Sequence, residues 1–131
     1  RLTDGKFLPA DIVVTATGLK LAVAGKIDVR VDGEPVKFNE RFYYKGCMFS
    51  NLPNLAVVFG YLNASWTLRA DINSDYVCRV LEHMRQTGAT IATPVLTPEG
   101  EAAITEDDVF DFSSGYIQRG KHIMPRNSVS Y

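Results

Sequence analysis

The stretch from Ser65 to Thr87 constrains the fold more than any other. Leu68, Ile72, Tyr76, Val80 and Met84 step by four, and Val77 and Leu81 widen the stripe they make. Apolar side chains recurring at that interval line one side of an α-helix. Asp71 and Asp75 in its first half and Arg85 at its end suit the helix macrodipole, and Gly88 stands where a left-handed C-terminal residue is expected. Asp75 and Arg79 are spaced for a side-chain pair worth at most ~0.5 kcal/mol.

The segments before this helix read as strands. "DIVVTATG" is a continuous β-branched run closed by Gly18, the pattern of a strand buried on both faces. "KIDVRVDGEPVKF" alternates Ile27, Val29 and Val31 with polar neighbours, turns at Asp32-Gly33 and resumes with Val36 and Phe38, as a hairpin with one wet face does. Then come an aromatic strand, a loop punctuated by Pro53 and two asparagines, and a second buried run from Leu55 to Tyr61. Beyond Gly88, "ATIATPVLT" reads as a strand that Pro94 would confine to an edge, and "TPEGEAAITEDD" as a polar connection rather than a packed element. The remaining "VFDFSSGYIQRGKHIMPRNSVSY" sustains neither period and is expected to be loop with one short helix. The fold class that follows is α/β or α+β: a small sheet with a β-hairpin and one long helix.

At 131 residues, 46% apolar and 22% charged, the chain has the composition of one globular domain rather than of a disordered tail. A net charge of −1 without a clustered basic face leaves no electrostatic footprint for nucleic acid or an anionic membrane. The longest apolar runs fall far below the ~18 residues of a spanning helix. With no secretory signal in view, a cytoplasmic protein is expected, and the Asn63-Ala64-Ser65 glycosylation pattern is set aside. Cys47 and Cys78 are far apart, without metal-ligand spacing, and are expected to be reduced thiols. The chain opens at Arg1 inside what reads as a strand pair turned at Asp4-Gly5, as an interior piece of a larger protein would.

No side chains assemble into a catalytic or metal constellation. His83 falls on the polar face of the helix and His122 in the irregular end, the serines have no G-x-S-x-G elbow, and Asp107 and Asp108 belong to a charge run. There is no P-loop and no G-x-G-x-x-G. One junction remains. In "VVFGYLNASWTLRAD" a buried strand ends at Gly60 and leads straight into the helix, so unpaired backbone N–H groups face whatever lies beyond the strand end. An anion or polarised carbonyl would suit that spot; an architectural turn at Gly60 with Ser65 or Asn63 as helix cap explains the same residues.

At these residues a family becomes visible. "ADIVVTATG", followed by "YYKGCMFSNLPNLAVVFGYLNASWTLRADINSDYVCRVLEHM", resembles class B flavoprotein monooxygenases, which include flavin-containing and Baeyer-Villiger monooxygenases, and in particular bacterial members that oxidise ketones or thioamides. The resemblance covers residues 10 to 88, and 112 to 120 more loosely. It implies that residues 1–18 end a nucleotide-binding domain with the A-T-G linker strand, that 19–88 form the C-terminal part of an FAD-binding domain, and that 89–131 are an irregular extension. It further implies FAD and NADPH as cofactors and transfer of one oxygen atom from O2 to a ketone, sulfur or nitrogen centre of a small molecule through a flavin peroxide.

The cofactor-binding residues the resemblance implies are Thr17, Gly18, Gly60, Tyr61, Asn63, Ala64, Ser65, Trp66 and Thr67. The backbone from Asn63 to Thr67 would stabilise negative charge at the flavin N1 and O2 positions, with Tyr61 and Trp66 lining the same pocket. For Trp66 the alternative is core packing; for Thr15 to Gly18, a buried strand end that needs small residues. The family's glycine-rich fingerprints, its F-x-G-x-x-x-H-x-x-x-W signature and its peroxide-holding arginine have no counterpart in this chain. By itself the chain is therefore expected to be inactive and to self-associate. The competing reading is a small non-enzymatic α/β binding or oligomerisation module.

Overall fold

Asp32-Gly33 turns the chain as its chemistry predicts. Both residues have positive φ, 52° and 88°, the mirror-image turn whose twist matches that of flanking strands. It pairs β1 (Arg30–Val31) with β2 (Glu34–Pro35), antiparallel, Arg30 opposite Pro35 and Val31 opposite Glu34. A second hairpin joins β3 (Tyr43–Tyr44) to β4 (Met48–Phe49), turning through Lys45 and Gly46, again at positive φ. These elements come from a computed structural model that describes residues 1–61, 64–107 and 114–129. Mixed helix and small antiparallel hairpins make the fold α+β.

Phe49, wholly buried, anchors the main core. The rings of Phe38 and Tyr43 each lie 4.9 Å from it, within the range in which tilted aromatic pairs attract. Leu52 completes the buried set, and Val31, Val36, Leu55, Val57 and Phe59 pack against it, so the alternating valines of the first hairpin turn their apolar face onto the second. A smaller cluster forms where Ile117 and Met124 meet Leu21, Val23, Phe59 and Tyr116. Phe59 thereby belongs to both.

The two asparagines of "SNLPNL" do more than punctuate a loop. Both sit at positive φ, 54° for Asn51 and 55° for Asn54, a region this residue type tolerates. The Asn54 N–H donates to Ala92 O at 2.9 Å, its Nδ2 to Thr90 O at 3.0 Å, and its Oδ1 accepts from the Ala92 N–H at 2.9 Å. Asn51 repeats the pattern two residues along. Its N–H donates to Pro94 O at 2.8 Å, and its side chain exchanges two 2.9 Å bonds with Leu96. Residues 90, 92, 94 and 96 are thus held at the period of a strand, Thr90 and Leu96 by asparagine side chains, Pro94 by a backbone N–H and Ala92 by both. Pro94, which has no N–H, contributes only its carbonyl.

α1 runs from Trp66 to Thr87 and ends on Gly88, left-handed at φ 71°, whose N–H donates to Met84 O. Asp75 and Arg79 form the anticipated pair at 3.0 Å. The buried side differs from the expected stripe. Asn73 is the one buried residue of α1, with Arg69, Ala70, Tyr76, Val77, Val80 and Met84 half-buried beside it, while Leu68, Ile72 and Leu81 stand exposed. The helix is rotated so that Asn73 faces the 45–47 turn.

The run at 11–17 differs more. Residues 11–17 form no strand, and Ile12, Val13 and Val14 are 78–84% exposed. A strand apolar on both faces needs neighbours on both, and none of the described residues supplies them. Residues 55–61 likewise join no ladder among the described residues. Val57, Phe59 and Gly60 turn inward while Ala56 and Val58 are exposed, and the Val57 N–H donates to Cys47 O at 2.7 Å.

The expected polar connection contains a helix, α2 (Pro98–Ala103). Thr97 caps it by accepting from the Gly100 N–H at 3.1 Å, and Pro98 opens it, a combination of start signals legible in T-P-E-G-E. The one short helix expected near the end is α3 (Gly115–Gly120), followed by a 3-10 turn at Lys121–Ile123. Arg126 ties this end to the core. Its N–H donates to Arg41 O and its carbonyl accepts from the Tyr43 N–H, both at 2.8 Å. Its guanidinium covers the Phe42 ring at 4.1 Å and pairs with Glu101 and Glu106. Among the described residues no helix is long and apolar enough to cross a membrane.

Candidate functional site

The junction between residues 55–61 and α1 is built on Gly60. A Cβ at this buried position would lie 2.2 Å from Trp66 Cδ2, so the indole rests where only glycine leaves room. The Trp66 ring also meets Phe59 at 5.2 Å, yet remains 50% exposed. The two readings of this tryptophan are therefore both represented: one face packs, and the other is open.

Ser65 occupies the N-cap position of α1 without capping it. Its hydroxyl pairs with Thr67 Oγ1 at 2.8 Å and makes no cap hydrogen bond. Ala64, Ser65 and Thr67 are exposed, and no acidic residue stands in the first turn. The positive end of this 22-residue helix thus carries no cap from Ser65 and no carboxylate within its own first turn. Asn63 lies outside the described residues. Thr17 and Gly18 are exposed, and a Cβ on Gly18, at φ +84°, would meet nothing within 4 Å. Farther along, Leu21 and Val23 reach the cluster that contains Phe59.

Three residues absent from the expected set organise the junction. Arg69 places its guanidinium 5.0 Å from the centre of the Tyr61 ring. It also closes on Gly46, where a Cβ would lie 1.8 Å from Nη2. One turn along, Asn73 Nδ2 donates to Gly46 O at 3.0 Å. Two signals for this were present in the sequence: Lys45-Gly46, a turn dipeptide, and a polar residue amid the apolar stripe of α1.

The electrostatics follow from burial. It pushes the Tyr43 phenol up to about 12, with Cys47 adding to the effect and the Arg69 charge opposing it. The Cys47 thiol is likewise pushed up by burial and drawn back by Arg69. Tyr76 is raised by burial first and then by Tyr44. Chemically, the junction offers a helix start that Ser65 does not cap, a nearby fixed cation and one open aromatic face, groups that can meet an anion or an electron-rich planar edge.

No family model matches the chain, and no solved structure matches it significantly. Named proteins do. The chain is 45% identical over 129 residues to the protein of Mycobacterium tuberculosis named as an FAD-containing monooxygenase, MymA, covering 98% of this chain and 26% of that one. It is 42% identical over 128 residues to the Acinetobacter baylyi protein named as an FAD-binding monooxygenase, AlmA, covering 96% and 25%. To the FAD-containing monooxygenase EthA of M. tuberculosis it is 41% identical over 126 residues, again covering 96% and 25%. The chain spans about a quarter of the length of these curated relatives. Aligned with them along nearly its whole length, the chain is similar to a quarter-length portion of proteins named as FAD-containing or FAD-binding monooxygenases.

Proposed function

We propose that this chain is the C-terminal portion of an FAD- and NADPH-dependent monooxygenase that transfers one oxygen atom from O2 to a ketone, sulfur or nitrogen centre of a small molecule. The observation that carries the reading is the 41–45% identity, along nearly the whole chain, to proteins named as FAD-containing or FAD-binding monooxygenases. Residues 1–18 then end the nucleotide-binding domain, with Thr17 and Gly18 in its linker, and residues 19–88 complete the FAD domain. The cytoplasm, where unpaired cysteines such as Cys47 and Cys78 stay reduced, is the expected compartment.

In this reading the start of α1 would hold the pyrimidine side of the isoalloxazine. FAD, when bound, supplies the redox chemistry and the activation of O2. The backbone N–H groups around Ala64 to Thr67 stabilise negative charge along that edge, which the macrodipole favours by ~0.3–1 kcal/mol at a surface and up to ~2 when partly buried. Tyr61 and the open face of Trp66 would line the same pocket. None of these side chains moves a proton; they bind and orient.

The full-length protein is expected to purify yellow and to consume NADPH and oxygen. A colourless product that cannot be reconstituted with FAD overturns the reading. Ser65→Asp tests the junction itself, because a carboxylate there opposes the charge that reduction creates. The flavin midpoint potential, measured by spectroelectrochemical titration, is expected to fall by about 30 mV, equivalent to ~1.4 kcal/mol in a two-electron couple.

A further inference from the structure

We propose that Arg69 is a positioning residue for the junction: it pins Tyr61 and the 45–47 turn to the first turns of α1 and fixes a permanent positive charge there. Its bearing on a cofactor rests on the reading that the junction meets the flavin. The placement runs against local preference, since a cation near a helix N-terminus is disfavoured by the macrodipole. The tertiary contacts explain it. The guanidinium lies 5.0 Å from the centre of the Tyr61 ring, within the range of cation–π attraction.

On its other side it fills the space above Gly46, where a Cβ would stand 1.8 Å from Nη2 and 2.7 Å from Cζ. Gly46 is at φ +68°, so backbone and neighbour both require glycine. Asn73, four residues on and 1% exposed, donates to Gly46 O at 3.0 Å. Two consecutive turns of α1 therefore grip one hairpin turn. Neighbouring groups respond to the charge, which works against burial at both Tyr43 and Cys47.

The experiment uses the full-length, FAD-loaded enzyme with Arg69→Gln, Arg69→Lys, Gly46→Ala and Ser65→Asp, and reads flavin midpoint potential alongside thermal unfolding. Arg69→Gln is expected to weaken the preference for reduced over oxidised flavin about tenfold, read as a fall of about 30 mV. Arg69→Lys, which keeps the charge but not the planar fork, should recover at least half of that. Lower thermal stability with an unchanged potential makes Arg69 merely structural and overturns the proposal. If Ser65→Asp lowers the potential while Arg69→Gln does not, the proposal falls and the junction reading stands; if neither lowers it, both fall. Should Arg69→Gln not retain FAD, Gly46→Ala decides, since its Cβ would take the place of the guanidinium: a lowered potential supports the proposal and an unchanged one overturns it.

Discussion

Tyr43 shows how much a single position in this small core does. Its ring packs on Phe49 at 4.9 Å, and burial holds the neutral phenol so strongly that its pKa rises from 10.0 to about 12. A folded-state pKa above the unfolded one favours the protonated form in the fold. The associated stability is fully present below pH 10 and is lost as pH rises through about 12. At ~1.4 kcal/mol per unit the loss amounts to roughly 3 kcal/mol. Urea-unfolding midpoints are expected to begin falling near pH 9, where the Cys47 thiol titrates in the unfolded chain, and to fall more steeply between pH 10 and about 12. Tyr43→Phe should show a shallower fall, Tyr76 contributing the same slope to both proteins. Parallel profiles for the two would show that Tyr43 ionises as freely in the fold as outside it.

Among elements, the attachment of residues 90–96 is the least conventional. An edge segment containing Pro94 has one N–H fewer for a ladder, and the side-chain amides of Asn51 and Asn54 bind Thr90, Ala92 and Leu96 while the Asn51 N–H takes Pro94 O. Asn54→Ala removes a donor and an acceptor and places a Cβ-bearing residue without a compensating side-chain bond at φ 55°. A loss of ~1–3 kcal/mol is expected, the range for leaving hydrogen-bond partners unsatisfied. Asn54→Asp keeps the acceptor for the Ala92 N–H and should protect that amide from hydrogen exchange, whereas Asn54→Ala should not. Equal exchange at Ala92 in the two variants would mean that the segment is held by something other than this clamp. α1 obeys the same rule at larger size: its period was legible, but its rotation was set by Asn73 reaching Gly46.

At the scale of the molecule, the apolar surface left uncovered is large. Phe7, Leu8, Ile12, Val13, Val14 and Leu19 are exposed along the first segment, and Leu68 and Ile72 on α1. Surface of this kind favours association. The isolated chain is expected to be oligomeric in light scattering, and Ile12→Lys with Val14→Lys to reduce its mass. A monodisperse monomer at high concentration counts against this.

What the sequence determined by itself is local. Asp32-Gly33 needs positive φ wherever it is placed, Gly88 terminates a helix by the same property, and a four-residue apolar step winds into α1 whatever lies beside it. The likeness of "GYLNASWT" to flavoprotein monooxygenases was legible for a related reason, because a contiguous motif keeps its residue order without reference to the fold. Tertiary structure decided the rest. The expected core role of Leu68 and Ile72 did not hold, because which side of a helix is covered depends on what it docks against, here a hairpin turn gripped by Arg69 and Asn73. Ser65 sits at the cap position yet turns its hydroxyl to Thr67. The run at 11–17 carries the pattern of a buried strand but remains exposed, since periodicity states how many faces a segment must cover, and only neighbouring chain can cover them.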